Sequence, residues 1–238
     1  LVTINPVNDA PVISAISDQV IDEDSSLTLE LIANDVDGDV LTFSASDGSA
    51  EISVDGSILT VTPEDDFNGE IIVDVTVTDG DLFDSTSFSI TVNPVNDAPL
   101  LSFVPDVEFE EDGTSTVSLS ALDIDSANLT FGVSGGLYIF AEINDSIITF
   151  TSTLDFYGSE EFTATVTDGE LTSSQIFTVS VNAVNDAPVI STIADQSIDE
   201  DSSLTVELAA SDVDGDILTF SASNGNADIS VDGSTLTV

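Results

Sequence analysis

The 238-residue chain lacks every basic side chain. It has no Lys, Arg or His against 46 Asp and Glu, which gives a formal net charge of −46. Such a chain repels nucleic acid and anionic membrane surfaces, so we expect neither as a partner, and it attracts cations. A solvated acidic surface suited to a salty medium, where ions screen charges beyond about 10 Å, explains much of this charge. It does not explain why many acids recur at fixed places.

Other absences exclude most catalytic chemistry. Without Cys there are no disulfides, thiol nucleophiles or Cys-based metal sites, and without His or Lys there are no catalytic triads, Schiff bases or zinc-type sites. Paired-carboxylate catalysis stays open in principle. A glycosidase usually also has aromatic platforms, however, and the chain has no Trp and only two Tyr, Tyr138 and Tyr157, which stand isolated in the sequence. We therefore predict that the protein is not an enzyme.

The sequence shows no targeting or membrane segment. No stretch approaches about 18 consecutive apolar residues, so no membrane span is expected. The first residues carry no basic region typical of a signal peptide. We interpret the sequence as an interior piece of a longer chain.

The motif Val-Asn-Asp-Ala-Pro occurs three times, and its aspartates Asp9, Asp97 and Asp186 are 88 and 89 residues apart. A fixed period of this size indicates an array of similar units. Residues 12–61 and 189–238 are identical at 39 of 50 positions, which supports the same period. The predicted domains are the last strand and linker of a preceding repeat (residues 1–9), repeat 1 (10–97), repeat 2 (98–186) and a partial repeat 3 (187–238).

Within a repeat, the apolar residues alternate with period two. The leucines Leu27, Leu29 and Leu31 fall on one strand face, and Ile71, Val73, Val75 and Val77 on another. Asp-Gly pairs between the apolar runs indicate tight turns. We count about seven short strands per repeat and no helical periodicity. This predicts an all-β fold of tandem, seven-stranded, antiparallel Greek-key β-sandwiches, arranged end to end as a rod.

Four acidic features recur in the same order in the repeats. They are an acidic triplet, an Asp-x-Asp, an Asp before an aromatic residue and a glycine, and a Thr-Asp-Gly turn. In repeat 1 these are Asp22–Asp24, Asp35 with Asp37, Asp66 and Asp79. An EF-hand is a poor explanation, because Gly38 comes two positions early and the twelfth position would be Ser46 instead of Glu.

Two interpretations of these acids stay open. A lone Asp-x-Asp-Gly is more often a turn than a set of ligands, and the linker could be a rigid connection that binds nothing. In a sandwich, however, loops cluster at the two ends, next to the linkers. Calcium takes six to eight oxygen ligands from carboxylates, carbonyls and Asn side chains. The linker offers Asn and Asp oxygens, while its Ala-Pro holds the chain extended.

The order of these elements resembles that of the cadherin superfamily, specifically the bacterial cadherin-like tandem repeats of large, calcium-dependent surface adhesins. The stretch VTVTDGDLFDSTSFSITVNPVNDAPL is similar to the closing strands of that family, which end in a linker of the type Asp-x-Asn-Asp-Asn-x-Pro. The acidic triplet is similar to the early Glu of the family, and Asp35-x-Asp37 to its Asp-x-Asp. The resemblance covers essentially the whole chain and implies a cadherin/immunoglobulin-like sandwich with Ca2+ ions between successive repeats.

The resemblance implies ligands at three junctions. For the junction with a preceding repeat they are Asp9, Asp35, Asp37 and Asp79. Between repeats 1 and 2 they are Glu23, Asp66, Asn96, Asp97, Asp123, Asp125 and Asp168. Between repeats 2 and 3 they are Glu111, Asp155, Asn185, Asp186, Asp212 and Asp214.

The chain also departs from the family pattern. Asn93 stands for the linker Asp of the family, and the linker aligns in two registers, so the roles of Asn96 and Asp97 can exchange. The Asp-Arg-Glu triplet of the family is reduced to Asp66-Phe67 or Asp155-Phe156. Fewer acids imply fewer or weaker ions at each junction.

The leading interpretation is a structural and adhesive rod outside a bacterial cell, as part of an adhesin, a biofilm matrix component or a surface fibre. Its partners would be calcium ions, neighbouring repeats and other copies in a fibre. The alternative is a module that binds a glycan or a copy of itself. Only repeat 2, with Gly135-Gly136-Leu137-Tyr138, diverges enough to be such a module, and no aromatic patch is evident in its sequence.

Overall fold

The computed structural model describes residues 2–47, 50–223 and 227–238, and within these ranges it contains strands and turns but no helix. The chain forms two compact units. Unit 1 is Leu1–Asp97 with Ile124–Ala127, and unit 2 is Ala98–Asp123 with Asn128–Val238. Residues 48, 49 and 224–226, which belong to predicted repeats 1 and 3, lie outside the described residues, as does Leu1.

Unit 1 is a two-layer sandwich. Its strands are β1 (Val12–Ile13), β2 (Gln19–Asp22), β3 (Leu27–Glu30), β4 (Ala33–Asn34), β5 (Thr42–Ser46), β6 (Ala50–Asp55), β7 (Ile58–Pro63), β8 (Gly69–Thr78) and β9 (Phe83–Asn93). One sheet has the order β2-β9-β8-β5 and the other β3-β7-β6, and β1 pairs with β4. Residues 2–11, before β1, carry no strand assignment.

The core of unit 1 follows from the predicted alternation. Along β8, every second residue from Ile71 to Val77 is buried, and these side chains pack with Leu59 and Val61 of the opposite sheet. Apolar residues on the inner faces of two stacked sheets remove their surface from water together, which is the main force that holds such a sandwich. No charged group takes part in this cluster.

Unit 2 contains a second sandwich with the same order of elements. Its strands are β10 (Leu100–Leu101), β11 (Val107–Glu110), β12 (Ser115–Ser118), β13 (Ala121–Leu122), β14 (Thr130–Gly135), β15 (Ile139–Asn144), β16 (Ile147–Ser152), β17 (Gly158–Thr167) and β18 (Thr172–Asn182). The sheets are β11-β18-β17-β14 and β12-β16-β15. Three core phenylalanines, Phe150, Phe162 and Phe177, contact one another with ring centroids 5.3 to 6.1 Å apart.

The remainder of unit 2 belongs to predicted repeat 3. Its strands are β19 (Val189–Ile190), β20 (Thr205–Glu207), β21 (Ala210–Ser211), β22 (Ser230–Asp232) and β23 (Thr235–Thr237). β19 pairs with β21, and β20-β23-β22 form a three-stranded sheet. These pairings correspond to β1 with β4 and to β3-β7-β6 of unit 1.

The all-β sandwich fold is confirmed, with two differences in detail. The first strand of unit 1 is divided, because the chain pairs first with β4 as β1 and then crosses to the other sheet as β2. The sheets are also not wholly antiparallel, since β2 runs parallel to β9 and β11 runs parallel to β18. Among the residues that the structure describes, each sandwich has nine strands where about seven were expected.

We predict that Ile71→Ala lowers the free energy of unfolding by about 2–5 kcal/mol, because it leaves a cavity in a packed core. Ile72, the next residue of β8, is the matched control, since it is 61% exposed while Ile71 is 1% exposed. Ile72→Ala should cost less than about 1 kcal/mol. Chemical denaturation of the two variants measures both values, and equal losses would contradict the assigned strand register.

Candidate metal centres

Three acidic clusters lie next to the three linker motifs. The first contains Asp9, Asp35, Asp37, Asp39 and Asp79; the second contains Glu23, Asp24, Asp66, Asp97 and Asp125; the third contains Glu111, Asp112, Asp155, Asp186 and Asp214. The first two belong to unit 1 and the third to unit 2. The five named residues of each cluster thus lie within one compact unit.

The first cluster is built on a tight turn after β4. The Oδ1 atom of Asp35 accepts hydrogen bonds from the backbone N–H of Asp37 and Gly38, at 2.8 and 2.9 Å. This turn brings the carboxylates of Asp35, Asp37 and Asp39 to within 4.8 Å of one another. The other oxygen of Asp35, Oδ2, is buried and has no hydrogen-bond partner.

The linker residues Asn8 and Asp9 connect this turn to the Thr-Asp-Gly turn. The backbone N–H of Asp9 donates to Oδ2 of Asp37 at 2.8 Å, and Nδ2 of Asn8 donates to Oδ2 of Asp79 at 2.9 Å. The backbone N–H groups of Leu82 and Asp81 also donate to Asp79 and lower the pKa of its carboxyl. The four residues predicted for this junction therefore lie around one linker.

The second cluster joins the linker after β9 to two turns of unit 1. The carboxylates of Asp24, Asp66 and Asp97 offer oxygens within 4.8 Å of one another. The backbone N–H of Asp97 donates to Oδ2 of Asp125 at 2.8 Å. Oδ2 of Asp97 is itself buried without a hydrogen-bond partner. Its lone pairs are therefore unused by the protein groups around it.

Glu23 anchors the linker to the second cluster. It is only 4% exposed, and its carboxylate accepts hydrogen bonds from the backbone N–H of Val95 and from Nδ2 of Asn68. A buried carboxylate is costly unless hydrogen bonds or an opposite charge compensate for its lost hydration. With no basic residue in the chain, no protein cation can serve here.

The third cluster repeats this arrangement in unit 2. Glu111, Asp186 and Asp214 offer oxygens within 4.8 Å of one another, and so do Asp112, Asp155 and Asp186. The backbone N–H of Asp186 donates to Oδ2 of Asp214 at 2.7 Å, as that of Asp97 does to Asp125 in the second cluster. Glu111 is 6% exposed and accepts from the backbone N–H of Val184.

Left-handed backbone conformations orient part of the second cluster and part of the third. Asp24, Asp66, Asp112 and Asp155 have φ between 55° and 61°. This region is uncommon for residues other than Gly, although Asp and Asn enter it more readily than most. The backbone N–H of Asp66 donates to Oδ1 of Asp24 at 3.1 Å, which ties the two turns together. Asp24, Asp112 and Asp39 are cluster members that were not predicted from the sequence.

Four other predicted residues make hydrogen bonds to groups close to them in the sequence. Nδ2 of Asn96 donates to the carbonyl of Asp97, and Nδ2 of Asn185 to that of Asp186. Oδ1 of Asp212 accepts from the N–H of Asp214 and Asp216, like Asp35 in the first cluster. Asp168 accepts from the N–H of Glu170 and Leu171 in its Thr-Asp-Gly turn. Asp123 and Asp168 belong to unit 2.

The carboxylates in the second cluster raise one another's pKa. Partial desolvation raises the pKa of Asp97, and the negative charges of Asp66 and Asp125 raise it further. Desolvation and the charge of Asp24 raise the pKa of Asp66 in the same way. In the third cluster, desolvation and then the charges of Asp155 and Asp214 raise the pKa of Asp186. Folding therefore brings like charges together at these places, which is unfavourable unless a cation is bound.

The donor set selects the kind of cation. The clusters offer only oxygen atoms, which suit hard cations such as Ca2+ and Mg2+ and not zinc, since zinc prefers Cys and His. Calcium accepts many carboxylates in a flexible geometry, whereas Mg2+ demands a near-octahedral shell and retains water. The buried, unpaired oxygens of Asp35 and Asp97 are further acceptors for such an ion. The residues present thus fit calcium.

The comparisons with known proteins agree with this repeat organisation. The family model described as bacterial Ig domain matches twice in tandem, over residues 8–93 and 96–182. Domains of this type are usually extracellular or surface-exposed and usually non-catalytic. In the part of the chain that the structure describes, there is no helix with the length and apolarity needed to cross a membrane.

A chitinase A of Pseudoalteromonas piscicida is 28% identical over 147 residues, which cover 60% of this chain and 18% of that protein. Among solved structures, Drosophila N-cadherin EC1-4 has 20% identity and a TM-score of 0.45, covering 75% of this chain and 50% of that one. An endo-fucoidan hydrolase of glycoside hydrolase family 107 has 21% identity and a TM-score of 0.34, covering 76% and 30%. The chain therefore spans about a fifth to a half of these proteins.

We predict that Asp186→Asn makes the metal-free protein more stable at neutral pH. Because the pKa of Asp186 is raised on folding, its contribution to stability is present below its unfolded pKa of about 3.9 and is lost as the pH rises through the higher folded value. The variant has no carboxyl group at this position, so it should keep the stability that the wild-type protein loses as the pH rises. Thermal melts in chelator, from acidic to neutral pH, measure the difference.

The exposed residue Asp55, the last residue of β6, provides the control for net charge. Asp55→Asn removes the same single charge at a residue outside the three clusters and should not reproduce the pH-dependent gain. Asn also tolerates the same backbone regions as Asp. If Asp186→Asn and Asp55→Asn gave the same melting curves at every pH, the repulsion within the third cluster would be refuted.

Proposed function

The chain belongs to the bacterial Ig domain family, and on that premise we propose that it is a segment of an extracellular structural or adhesive protein whose repeat junctions bind calcium and are stiffened by it. The observation that carries this proposal is the convergence of carboxylates in a chain that has no basic residue. Only a cation from the medium can neutralise these clusters. The unpaired, buried oxygens of Asp35 and Asp97 support the same conclusion.

Calcium would supply positive charge and a common set of bonds to groups that otherwise repel. At the second cluster the residues that would hold it are Glu23, Asp24, Asp66, Asp97 and Asp125. At the third they are Glu111, Asp112, Asp155, Asp186 and Asp214. Two unit charges 4 Å apart interact by up to about 4 kcal/mol at an effective dielectric constant near 20, so converting repulsion into coordination is a large change.

Asp24 and Asp112 would replace an acid that the cadherin-like pattern has and this chain lacks. The second acid of the pattern's Asp-Arg-Glu triplet is absent after Asp66 and after Asp155, where Phe67-Asn68 and Phe156-Tyr157 follow. The left-handed turns at Asp24 and Asp112 bring another carboxylate to within 4.8 Å of Asp66 and of Asp155 instead. A junction of this chain would therefore have a negative charge comparable to that of the cadherin-like pattern, with one carboxylate supplied from a different sequence position.

The mechanical role follows from which groups bind. The linker contributes Asp97 or Asp186, and the neighbouring turns contribute the other acids, so one ion would fix the linker to the turns around it. The sandwich cores contain no member of the clusters. Calcium would thus control the direction in which the chain leaves a repeat, and the cores would control whether the repeat folds. We propose a rod that is straight with calcium and flexible without it.

We predict that removing calcium lowers the melting temperature but leaves the β-sheet signal. A ligand that binds only the folded state adds about 2.7 kcal/mol per site when its free concentration is about 100 times its Kd. Thermal melts with calcium and with chelator, at fixed ionic strength, measure this added stability. Small-angle scattering should show a larger maximum dimension with calcium. Loss of the circular dichroism β signal in chelator would mean that calcium holds the fold itself.

We predict that Asp125→Asn weakens calcium binding by about tenfold or more, in the range found when a group supporting a metal site is lost. Asp125 accepts the N–H of Asp97 and belongs to the second cluster. Asp55→Asn is again the matched control, because Asp55 is exposed at the end of β6 and belongs to none of the clusters. Isothermal titration calorimetry decides between them, and unchanged affinity in Asp125→Asn would remove that residue from the site.

A further inference from the structure

Repeat 2 contains a loop that is held by a carboxylate found at no corresponding place in repeat 1. Glu160 accepts hydrogen bonds from three successive backbone N–H groups, those of Leu137, Tyr138 and Ile139, at 2.9, 3.1 and 2.9 Å. Glu160 is the third residue of β17, and the third residue of β8 is the core residue Ile71. Where repeat 1 has a core residue, repeat 2 therefore has a charged residue that holds a loop in place.

Two glycines allow this loop to approach the sandwich closely. Gly135 and Gly136 have φ of 123° and 77°, which favour glycine. A Cβ atom on Gly136 would lie 2.2 Å from the carbonyl oxygen of Ile139 and 2.5 Å from the ring of Phe162. Any other residue would force the loop away. Burial tends to raise the pKa of Glu160, but the three N–H donors outweigh it and lower the pKa, so the anchor stays ionised at neutral pH.

The fixed loop displays aromatic and apolar side chains. The ring of Tyr138 stacks on that of Phe156, with centroids 5.1 Å apart and planes 19° apart. Tyr138, Phe140 and Tyr157 are 49%, 53% and 63% exposed. Tyr138 and Phe156 are 18 positions apart in the sequence, and the start of β15 and the turn after β16 bring them together. We call Leu137, Tyr138, Phe140, Leu154 and Tyr157 the aromatic patch.

The corresponding surface of repeat 1 is acidic. Because β6 and β15 begin at equivalent positions, Glu51 corresponds to Phe140, and because β7 and β16 end at equivalent positions, Asp65 corresponds to Leu154. In repeat 1, Glu51, Glu64 and Asp65 line a shallow groove of about 690 Å³ together with Asp47. Repeat 2 thus has the apolar side chains Phe140 and Leu154 where repeat 1 has the acids Glu51 and Asp65.

The charge of the chain restricts what can cover this patch. With 46 acids and no basic residue, the protein repels anionic partners and also a second copy of itself. A cationic partner would be drawn to the acidic surfaces, not to a surface where apolar side chains stand at the positions of acids. The occupant best matched to the aromatic patch is therefore uncharged.

The patch combines rings with hydroxyl groups. Phe140 lies opposite Thr151 across the β15–β16 pair, and the next outward pair is Glu142 with Thr149. Aromatic rings offer flat apolar area, and a few polar groups beside them fix the orientation of a ligand. A pyranose ring has the complementary character, since its C–H face is apolar and its rim carries hydroxyls.

We propose that the aromatic patch of repeat 2 is a binding platform for an uncharged polysaccharide, presented by the loop that Glu160 anchors. Sugar rings stack on Tyr138 and Phe140, and hydroxyls bond to the threonines and to Glu142. Repeat 1, which keeps its acidic groove, does not bind. No member of the calcium clusters belongs to the patch, and Leu154 of the patch directly precedes Asp155 of the third cluster.

Affinity electrophoresis of the calcium-loaded 238-residue chain tests the proposal. The probes are three neutral polysaccharides, hydroxyethyl cellulose, laminarin and galactomannan, and the anionic alginate. We expect at least one neutral probe to retard the wild-type chain. The double variant Phe140→Glu, Leu154→Asp, which installs the residues of repeat 1, and Tyr138→Ala should each weaken retardation by about tenfold, the loss of roughly 1.4 kcal/mol of contact. Phe103→Ala, at an exposed phenylalanine elsewhere in unit 2, should bind like the wild type.

Tyrosine fluorescence gives a second readout confined to the patch, since the chain has no Trp and its two Tyr are Tyr138 and Tyr157. A binding neutral probe should change this emission. The proposal is overturned if no neutral probe retards the chain, if Phe103→Ala weakens binding as much as the patch variants, or if alginate alone binds. It is also overturned if sedimentation shows a dimer that Phe140→Glu, Leu154→Asp dissociates, because the patch would then bind a second copy.

Discussion

The absence of any positive side chain is the constraint on which the rest of this structure depends. In most proteins, Lys and Arg neutralise carboxylates, whereas here backbone N–H groups replace them. Asp35, Asp79 and Asp168 each accept N–H groups of their own turn, and Asp18 accepts that of Ser89. Glu160 collects three such donors from one loop. The turns of the protein are therefore also its means of stabilising negative charge, because hydrogen bonds to the charged form favour it.

Carboxylates that backbone N–H groups do not fully compensate lie in the clusters beside the linkers. The division is clear in unit 1, in which the core between the sheets is wholly apolar and Asp24, Asp66 and Asp97 meet beyond the strand ends. The apolar residues that hold the sandwich together are thus different from the acidic residues whose charge has to be neutralised. The separation explains how a chain with a net charge of −46 can have ordinary sandwich cores.

The sequence predicted the fold and most of the cluster members because both follow short-range rules. The alternation from Ile71 to Val77 specifies a strand face, and the repeated Val-Asn-Asp-Ala-Pro locates the linkers. Asp24 and Asp112 were missed, because only the left-handed φ at these residues turns their carboxylates toward Asp66 and Asp155. The aromatic patch was also missed, because its two segments, residues 137–140 and 154–157, are distant in the sequence and meet only through the pairing of β15 with β16.

The parallel pairing of β2 with β9 has a consequence for a chain that is pulled from both ends. These two strands lie side by side over the pairs Gln19–Ile90 to Asp22–Asn93, and the chain leaves the pair in opposite directions, backwards from β2 and forwards from β9. A stretching force therefore loads their hydrogen bonds in shear, all at once, instead of unzipping them one at a time. β11 and β18 repeat this arrangement in unit 2. The strand pair that departs from the antiparallel rule of the sheets is the mechanical clamp of each sandwich.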